Sequence, residues 1–283
     1  MKKLIVIFFC LFSVTIAQET LNESIIHDDL VRDYIIHIPS SYENKVPVPL
    51  VLCFHGYGGS ASGISYTNFN DVSDTANFIV VYPQGTFLKG KSHWNVGGWT
   101  SKSTRKDIEF IDTVIDLIKD KIQIDQTRIY SSGMSNGGYM SYSLACNLGN
   151  KIAAIASVTG SMTPDNFDNC SPSNPISVLQ IHGLQDLVVP YIGSSGSKSI
   201  PDVIDFWVNY NACSTEPNRL IKYSNLALVN YDTYENCLNN TNVKLILHPE
   251  MDHTWPFIST HNVSASNEIW DFVSQYDLSG QIN

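Results

Sequence analysis

A β-rich segment meets an amphipathic one at Arg128-Ile-Tyr-Ser-Ser-Gly-Met-Ser-Asn-Gly-Gly-Tyr139. Ser135 lies at the junction, between Gly133 and Gly137. In this G-x-S-x-G pattern a sharp strand-to-helix turn exposes the serine hydroxyl at the end of a sheet, and glycines are needed because a Cβ would collide with neighbouring backbone. The turn also aims the amide of Asn136 at the place where an oxyanion would form. Ser135 is therefore the candidate nucleophile, with an ordinary serine-rich turn as the alternative.

A carboxylate in a suitable position follows this serine. A serine hydroxyl becomes a strong nucleophile when an imidazole removes its proton and a carboxylate holds that imidazole in the right tautomer. Asp186 comes just after an apolar segment, in His182-Gly-Leu-Gln-Asp-Leu-Val-Val-Pro190. We predict that Asp186 is the orienting acid. The alternative is a turn-stabilising aspartate beside glycine.

The candidate base comes last in the chain. His253 follows an apolar segment, in Met251-Asp-His-Thr-Trp-Pro256, and its loop is rich in turn residues. The order serine, acid, histidine is one known order of such triads. His248 is the nearest rival, but it lies almost within the preceding strand. We therefore predict His253 as the base.

A glycine-rich turn supplies a candidate for the second oxyanion donor. The segment Cys53-Phe-His-Gly-Tyr-Gly-Gly59 ends a predicted strand with three glycines in four residues. Such a turn lets backbone amides approach a substrate oxygen. We predict the amides of Tyr57 and Asn136 as the oxyanion hole. The alternative is an ordinary turn in which His55 is a packing residue.

Short apolar runs alternate with amphipathic ones along the chain. The runs are rich in β-branched residues and several are apolar throughout, which is typical of strands covered on both faces. We predict strands over residues 34–38, 48–54, 78–82, 128–131, 176–181 and 243–247, and helices over 107–122, 136–148, 200–210 and 266–276. Strand followed by helix, repeated, predicts an α/β fold with a mostly parallel central sheet, helices on both faces and no large lid domain.

The first residues predict export. Lys2 and Lys3 precede an apolar run at 4–16 that is too short to span a bilayer, and small residues follow at the expected cleavage site. We predict a signal peptide at 1–17, one catalytic domain at 18–283, and a secreted protein, either extracellular or periplasmic. The formal charge of −10 argues against nucleic acid as a partner, and no membrane partner is expected after signal cleavage.

Signal cleavage leaves five cysteines in a chain that is exposed to oxidising conditions. Cys53 lies in an apolar strand, so we expect it to be buried and unpaired. Among the possible connectivities we favour the local pairs Cys146–Cys170 and Cys213–Cys237, which sequence alone does not fix. Closely spaced Cys/His quartets are absent, so we expect no metal and no cofactor.

Four separated segments together resemble the secreted esterase family that groups polyhydroxybutyrate depolymerases with feruloyl and acetylxylan esterases, within the α/β-hydrolase superfamily. They are His55-Gly-Tyr-Gly-Gly59, Gly133-Met-Ser-Asn-Gly-Gly138, His182 to Tyr191, and Asp252-His-Thr-Trp-Pro256. The resemblance implies an α/β-hydrolase fold, Ser135, Asp186 and His253 in the roles given above, no metal, and the two disulfides. One departure is Met251-Asp252, where members of the family usually have glycines.

Aromatic residues near these segments are candidates for substrate contact. Trp99, Trp255 and Tyr191 are predicted to bind substrate, because aromatic rings wall sites that take an aryl or sugar ring. Trp255 is the strongest candidate since it lies two residues from the predicted base. A structural role in the core is the alternative for each tryptophan.

These observations predict a secreted serine carboxylic ester hydrolase that acts through an acyl-enzyme. The chain ends at Asn283 soon after its last predicted helix, without the linker and surface-binding domain that polyester depolymerases of this type generally append. We therefore expect feruloyl or acetyl esters of plant polysaccharide as substrates, with polyhydroxybutyrate or its oligomers as the alternative. A serine peptidase of the prolyl-oligopeptidase type would need a propeller-like domain, and a non-catalytic binding protein would be expected to have lost a triad residue.

Overall fold

The fold is given by a computed structural model that describes residues 19–224 and 227–282. The signal peptide predicted for 1–17 lies outside the described residues. The strands are β1 (Glu19–His27), β2 (Leu30–Ile38), β3 (Val48–Phe54), β4 (Ile79–Pro83), β5 (Thr86–Leu88), β6 (Lys91–His93), β7 (Ile124–Met134), β8 (Ala154–Val158), β9 (Ser177–Gly183), β10 (Asn218–Ser224), β11 (Ala227–Tyr234), β12 (Val243–His248), β13 (Tyr276–Asp277) and β14 (Gly280–Gln281). The α-helices are α1 (Ala61–Ile64), α2 (Phe69–Ala76), α3 (Asp107–Lys121), α4 (Asn136–Asn147), α5 (Pro164–Asp168), α6 (Ile200–Tyr210), α7 (Ile258–His261) and α8 (Ala265–Val273).

One large sheet organises the described chain. Its order is β1-β2-β4-β3-β7-β8-β9-β12-β11-β10. The six central strands, from β4 to β12, are parallel, and antiparallel strands extend the sheet at both edges. Two short hairpins, β5–β6 and β13–β14, lie outside it. The mostly parallel sheet predicted from the sequence is confirmed.

The apolar strands are buried because helices cover both faces of the sheet. Every residue of β3 is buried, and successive side chains point to opposite faces. Leu50, Leu52 and Phe54 pack into one core layer, whereas Val51 and Cys53 pack into the other. A strand with two buried faces has no position for a polar side chain, which explains the uniformly apolar sequence.

Amphipathic helices form the two layers. Helices α3, α4 and α6 contribute their buried side chains to the layer that contains Leu50, while α2 and α8 contribute theirs to the layer that contains Val51. In α3, acidic residues stand in the first turn and lysines in the last, as the helix dipole favours. Among the described residues, none of the helices combines the length and the apolar composition of a membrane-spanning segment.

Two disulfides are present, Cys146–Cys170 and Cys213–Cys237, and Cys53 is a buried free thiol. The first bridge ties the last turn of α4 to the segment after α5. The second ties the segment after α6 to the segment after β11. All three cysteine predictions therefore match the structure.

The parallel order sets the position of the candidate site. Strands β3, β7, β9 and β12 run in the same direction, so their carboxyl ends meet at one edge of the sheet. The loops that carry Tyr57, Ser135, Asp186 and His253 leave from those four ends. Ligands of open α/β sheets bind at this edge.

Candidate active site

Ser135 lies in the tight turn between β7 and α4. Its backbone has φ 54° and ψ −121°, a conformation that costs a non-glycine residue about 1–3 kcal/mol. The turn is held by hydrogen bonds from the Ser135 amide to the Val158 carbonyl (2.9 Å) and from the Tyr139 amide to the Ser135 carbonyl (3.0 Å). A Cβ at Gly137 would lie 2.1 Å from the Phe54 carbonyl oxygen, so only glycine fits there. The geometry matches the strand–turn–helix context that the G-x-S-x-G pattern requires.

Asp186 and His253 form a direct contact. Nδ1 of His253 lies 2.8 Å from Oδ2 of Asp186. The other oxygen, Oδ1, accepts hydrogen bonds from the amides of Val188 (2.9 Å) and Val189 (2.8 Å). Burial raises the pKa of the Asp186 carboxyl, but hydrogen bonds from His253 and the Val189 amide outweigh it and lower the pKa below its ordinary value. The carboxylate is thus ionised and fixed where it can orient the imidazole.

Ser135 and His253 line the same cleft, which has a volume of about 350 Å³. Gly56, Tyr57 and Met134 also line it. Within residues 19–224 and 227–282, Oγ of Ser135 makes no hydrogen bond. The three predicted catalytic residues are therefore brought to one place, with the serine hydroxyl open to the cleft.

The amide of Asn136 is available as an oxyanion donor. It is the first residue of α4, so its N–H has no partner within the helix. Its side chain accepts a hydrogen bond from the Trp94 amide (2.7 Å) and donates one to the Trp94 carbonyl (3.2 Å). These two bonds fix the start of the helix beside Ser135.

The amide of Tyr57 is oriented by His55, whose ring is buried. Nε2 of His55 accepts a hydrogen bond from the Gly85 amide (3.0 Å), so the ring proton is on Nδ1. Nδ1 lies 2.8 Å from the Gly56 carbonyl oxygen and donates a hydrogen bond to it. Because a trans peptide points its C=O and N–H in opposite directions, the Tyr57 N–H points away from the His55 ring. No acceptor within the described ranges takes the Tyr57 amide. A Cβ on Gly56 would lie 3.3 Å from Cβ of Ser135, which shows how closely this turn approaches the serine.

His55 thus has a role that the sequence left open. Burial lowers the pKa of His55 to about 4, so the ring is neutral at pH 7 and keeps one donor and one acceptor nitrogen. Its own carbonyl accepts a hydrogen bond from Nε1 of Trp94 (2.9 Å). The signal in the sequence was the histidine directly before Gly56.

A buried polar chain supports the acid loop. Oη of Tyr142 donates to Gln180 (2.7 Å), Gln180 Nε2 lies 2.9 Å from Nδ1 of His182, and Nε2 of His182 lies 2.9 Å from the Val189 carbonyl oxygen. Burial lowers the pKa of His182 to about 4, so its neutral ring donates from Nε2. Val189 is the residue whose amide binds Asp186. Sequence reasoning missed Gln180 and His182 because both lie inside an otherwise apolar strand.

The predicted aromatic contacts divide into two groups. Trp99 is 42% exposed, and its ring lies 5.8 Å from that of Tyr57, a residue that lines the cleft. Tyr191 is partly buried and lies 6.4 Å from the ring of His182. Trp99 is therefore an exposed ring beside a residue of the cleft, whereas Tyr191 packs against His182.

Trp255 requires a correction. It is 1% exposed and packs edge-on against Phe69 in the core, at a ring separation of 5.9 Å. It does not line the cleft that contains Ser135. Its closeness to His253 in the sequence was misleading, because the turn at this point directs the indole inward. We therefore do not assign Trp255 to substrate binding.

A family model described as phospholipase/carboxylesterase matches residues 40–214. The chain belongs to the phospholipase/carboxylesterase family. The matched range contains Ser135 and Asp186, and it ends before the histidine loop. Membership of this family confirms the esterase resemblance seen in the four sequence segments.

Curated relatives of this phospholipase/carboxylesterase family member cover most of its length. It is 29% identical over 259 residues to a bifunctional acetylxylan esterase/xylanase of Neocallimastix patriciarum. The alignment covers 89% of this chain and 34% of that protein. It is 30% identical over 266 residues to feruloyl esterase B of Piromyces equi. The alignment covers 87% of this chain and 46% of that protein. The chain therefore spans about a third to a half of the length of these two relatives.

Solved structures confirm the fold of this phospholipase/carboxylesterase family member. An acetyl xylan esterase from Aspergillus awamori has a TM-score of 0.67 at 13% identity, over 90% of this chain and 99% of that one. A ferulic acid esterase from Anaeromyces mucronatus has a TM-score of 0.61 at 14% identity, over 94% and 93% of the two chains. At such low identity the likeness concerns the fold alone.

Proposed function

We propose that this protein is a serine carboxylic ester hydrolase that acts through an acyl-enzyme on feruloyl or acetyl esters of plant polysaccharide. The observation that carries the proposal is the convergence of Ser135, His253 and Asp186 beside the backbone amides of Tyr57 and Asn136, neither of which has a partner among the described residues. This arrangement supplies the nucleophile, base, orienting acid and oxyanion donors of acyl transfer.

The reaction follows from these positions. Oγ of Ser135 attacks the ester carbonyl carbon while His253 takes the hydroxyl proton through Nε2. The amides of Tyr57 and Asn136 stabilise the oxyanion that forms, and the loss of one such donor typically costs about 100- to 1,000-fold in rate. His253 then gives the proton to the departing alcohol, which leaves an acyl group on Ser135.

Water completes the cycle by the same route. His253 removes a proton from water as the water attacks the acyl-enzyme, and the protonated imidazole returns that proton to Ser135 as the carboxylic acid leaves. Asp186 stabilises the imidazolium in both halves of the cycle. Stabilising the imidazolium requires an ionised carboxylate in a fixed position, as Asp186 has.

The substrate class is supported by the relatives and by the cleft. The names of the two curated relatives include acetylxylan esterase and feruloyl esterase. The exposed pair of Tyr57 and Trp99 beside the cleft offers aromatic surface to a feruloyl or sugar ring.

Export is part of the proposal. Disulfides persist in oxidising compartments, and this chain carries two. We propose that residues 1–17 are removed on secretion and that residues 18–283 form one catalytic domain. N-terminal sequencing of the protein recovered from a secreting host should give a start near Gln18.

The activity is tested by ester hydrolysis with the wild type and Ser135→Ala. The wild type should release ferulate from methyl ferulate and acetate from acetylated xylan, and Ser135→Ala should lose at least 99% of both activities. Ser132→Ala is a matched control, because Ser132 lies in β7, the strand that leads to Ser135, and its buried Oγ has no hydrogen-bond partner among the described residues. It should remain active.

The relative rates of release of ferulate, acetate and 3-hydroxybutyrate test the proposed substrate class. Release of 3-hydroxybutyrate from its oligomers, without release of ferulate or acetate, would replace the preferred substrate class while leaving the mechanism intact. An inert wild type would contradict the proposed activity itself.

A further inference from the structure

A second cleft lies beside helix α6, away from the catalytic residues. It has a volume of about 660 Å³ and shares no lining residue with the cleft that contains Ser135. We refer to it as the α6 cleft. Its lining residues are the aromatic residues Phe167, Phe206 and Tyr210, the charged residues Lys198, Asp202 and Asp205, and Asn209.

The aromatic residues form a connected surface. The rings of Phe206 and Tyr210, one turn apart on α6, lie within 13° of parallel at a centroid separation of 6.1 Å. Phe167 comes from α5 and lies 5.1 Å from Phe206 at an angle of 51°. All three are only partly buried. The α6 cleft therefore offers two parallel rings and a third inclined to them.

The rings are held rigidly. Oη of Tyr210 donates a hydrogen bond to the Pro172 carbonyl (2.6 Å), and buried Trp207 packs edge-on against both Phe206 and Tyr210. A preformed aromatic surface loses little conformational entropy when a ligand stacks on it. This arrangement suits a ligand with a flat apolar face.

The charged residues limit what that ligand can be. Asp202 and Asp205 are exposed on α6, and neither carboxylate forms an ion pair or hydrogen bond within the described parts of the chain. Nζ of Lys198 lies 3.5 Å from Asp168 and 4.3 Å from the centre of the Phe167 ring. The two carboxylates disfavour an anionic ligand, and the Lys198 ammonium already occupies the face of Phe167 on which a cationic ligand would stack. A neutral ligand rich in hydroxyl groups satisfies both.

We propose that the α6 cleft is a non-catalytic binding site for the neutral polysaccharide backbone that carries the ester, an inference that rests on the proposed function. The apolar C–H faces of the sugar rings stack on Phe206 and Tyr210. Sugar hydroxyls donate to Asp202 and Asp205, which gives charge-assisted hydrogen bonds. Binding here holds the enzyme on its polymer while Ser135 acts on the ester.

The test measures binding to arabinoxylan from which all ester groups have been removed, so that the catalytic cleft has no acyl group to recognise. The full mature chain is used as the Ser135→Ala variant, with and without Phe206→Ala. Phe206→Ala should weaken binding at least tenfold, and Asp205→Ala, a surface change that leaves the ring contacts intact, at least threefold. Tyr223→Ala is the aromatic control, since Tyr223 is 84% exposed on β10. It should leave binding unchanged.

A second readout separates binding from catalysis. With Ser135 intact, Phe206→Ala should keep kcat/KM for methyl ferulate within twofold while it slows ferulate release from insoluble arabinoxylan. Equal polysaccharide binding by the Ser135→Ala chain with and without Phe206→Ala would overturn the inference, and so would binding of a lysine-rich peptide in place of the polysaccharide. Neither result affects turnover of methyl ferulate, on which the proposed function stands or falls.

Discussion

Gly183 abuts the backbone of Met251. A Cβ on Gly183 would lie 1.8 Å from the Met251 carbonyl oxygen, and the same oxygen accepts a hydrogen bond from the Gln185 amide (3.1 Å). Gly183 ends the strand that leads to Asp186, and Met251 precedes His253 by two residues. The contact therefore fixes the acid loop against the histidine loop. Met251 is fully buried and anchors this loop.

Replacing this glycine should misplace the acid and the base together. Gly183→Ala forces the two backbones apart, which costs about 1–3 kcal/mol of unfolding free energy. A shift of about 1 Å in the site should lower kcat about 100-fold. Thermal unfolding and ester kinetics measure the two effects. Gly149→Ala is the control, because its Cβ would come no closer than 3.3 Å to its neighbours Ala145 and Ser173, neither of which lines the cleft. Equal activity of the two variants would contradict the packing argument.

His55 should affect the rate through the oxyanion hole. His55→Ala removes the donor that orients the Gly56–Tyr57 peptide, so kcat for a small ester should fall about 100-fold, with little change in KM. Steady-state kinetics on p-nitrophenyl acetate provides the measurement. His27→Ala is the control, since Nε2 of His27 has no hydrogen-bond partner among the described residues. A folded His55→Ala variant with more than half of the wild-type kcat would exclude this role.

Stability should fall as the pH drops from about 6.5 to about 4. Burial lowers the pKa of His182 from 6.5 to about 4, and burial lowers that of His55 equally. Between these values the unfolded chain binds a proton that the folded chain does not, so the free energy of unfolding decreases with falling pH, by up to about 3 kcal/mol for each group. Urea unfolding at pH 7, 5.5 and 4 measures this decrease in the free energy of unfolding.

The variant His182→Gln isolates one of these contributions. It should be less stable than the wild type at pH 7, because the bond to the Val189 carbonyl is altered, but its stability should fall less steeply with pH. Parallel curves for variant and wild type would contradict the linkage of His182 to pH.

The thiols give a simple check of the covalent structure. Burial raises the pKa of Cys53 far above its ordinary value, so this thiol should not react with a maleimide in the native protein. In denaturant without reductant, the chain without residues 1–17 should show one thiol, and after reduction it should show five. Three thiols before reduction would mean that one of the two disulfides is absent.

The central sheet was predictable because its strands have distinctive sequences. Uniformly apolar, β-branched runs identified β3 and β4, and helical periodicity identified α3 and α6. The strand β8 was missed, since Ala-Ile-Ala-Ser-Val is built largely of small residues with weak β preference. The antiparallel edge strands β1, β10 and β11 were also missed, because they contain many polar residues and have one or both faces exposed.

The convergence of Ser135, Asp186 and His253 was predictable because each of them follows a strand, and parallel strands bring their carboxyl ends together. The features of the site that were not predicted depend on where a side chain points and on what surrounds it. Whether Trp255 faces the cleft or the core depends on a turn that periodicity does not describe. The roles of His55 and His182 depend on which backbone groups surround a buried ring, and those partners lie far away in the sequence.

The proposed mechanism requires that Ser135 forms a covalent acyl-enzyme. The most direct measurement is to treat the mature protein with diethyl p-nitrophenyl phosphate and to map the adduct by peptide mass spectrometry. We predict one diethylphosphoryl group on Ser135, complete loss of ester hydrolysis at one adduct per chain, and no adduct in Ser135→Ala. Inactivation with the adduct on another residue, or an active protein that remains unlabelled, would contradict Ser135 as the nucleophile.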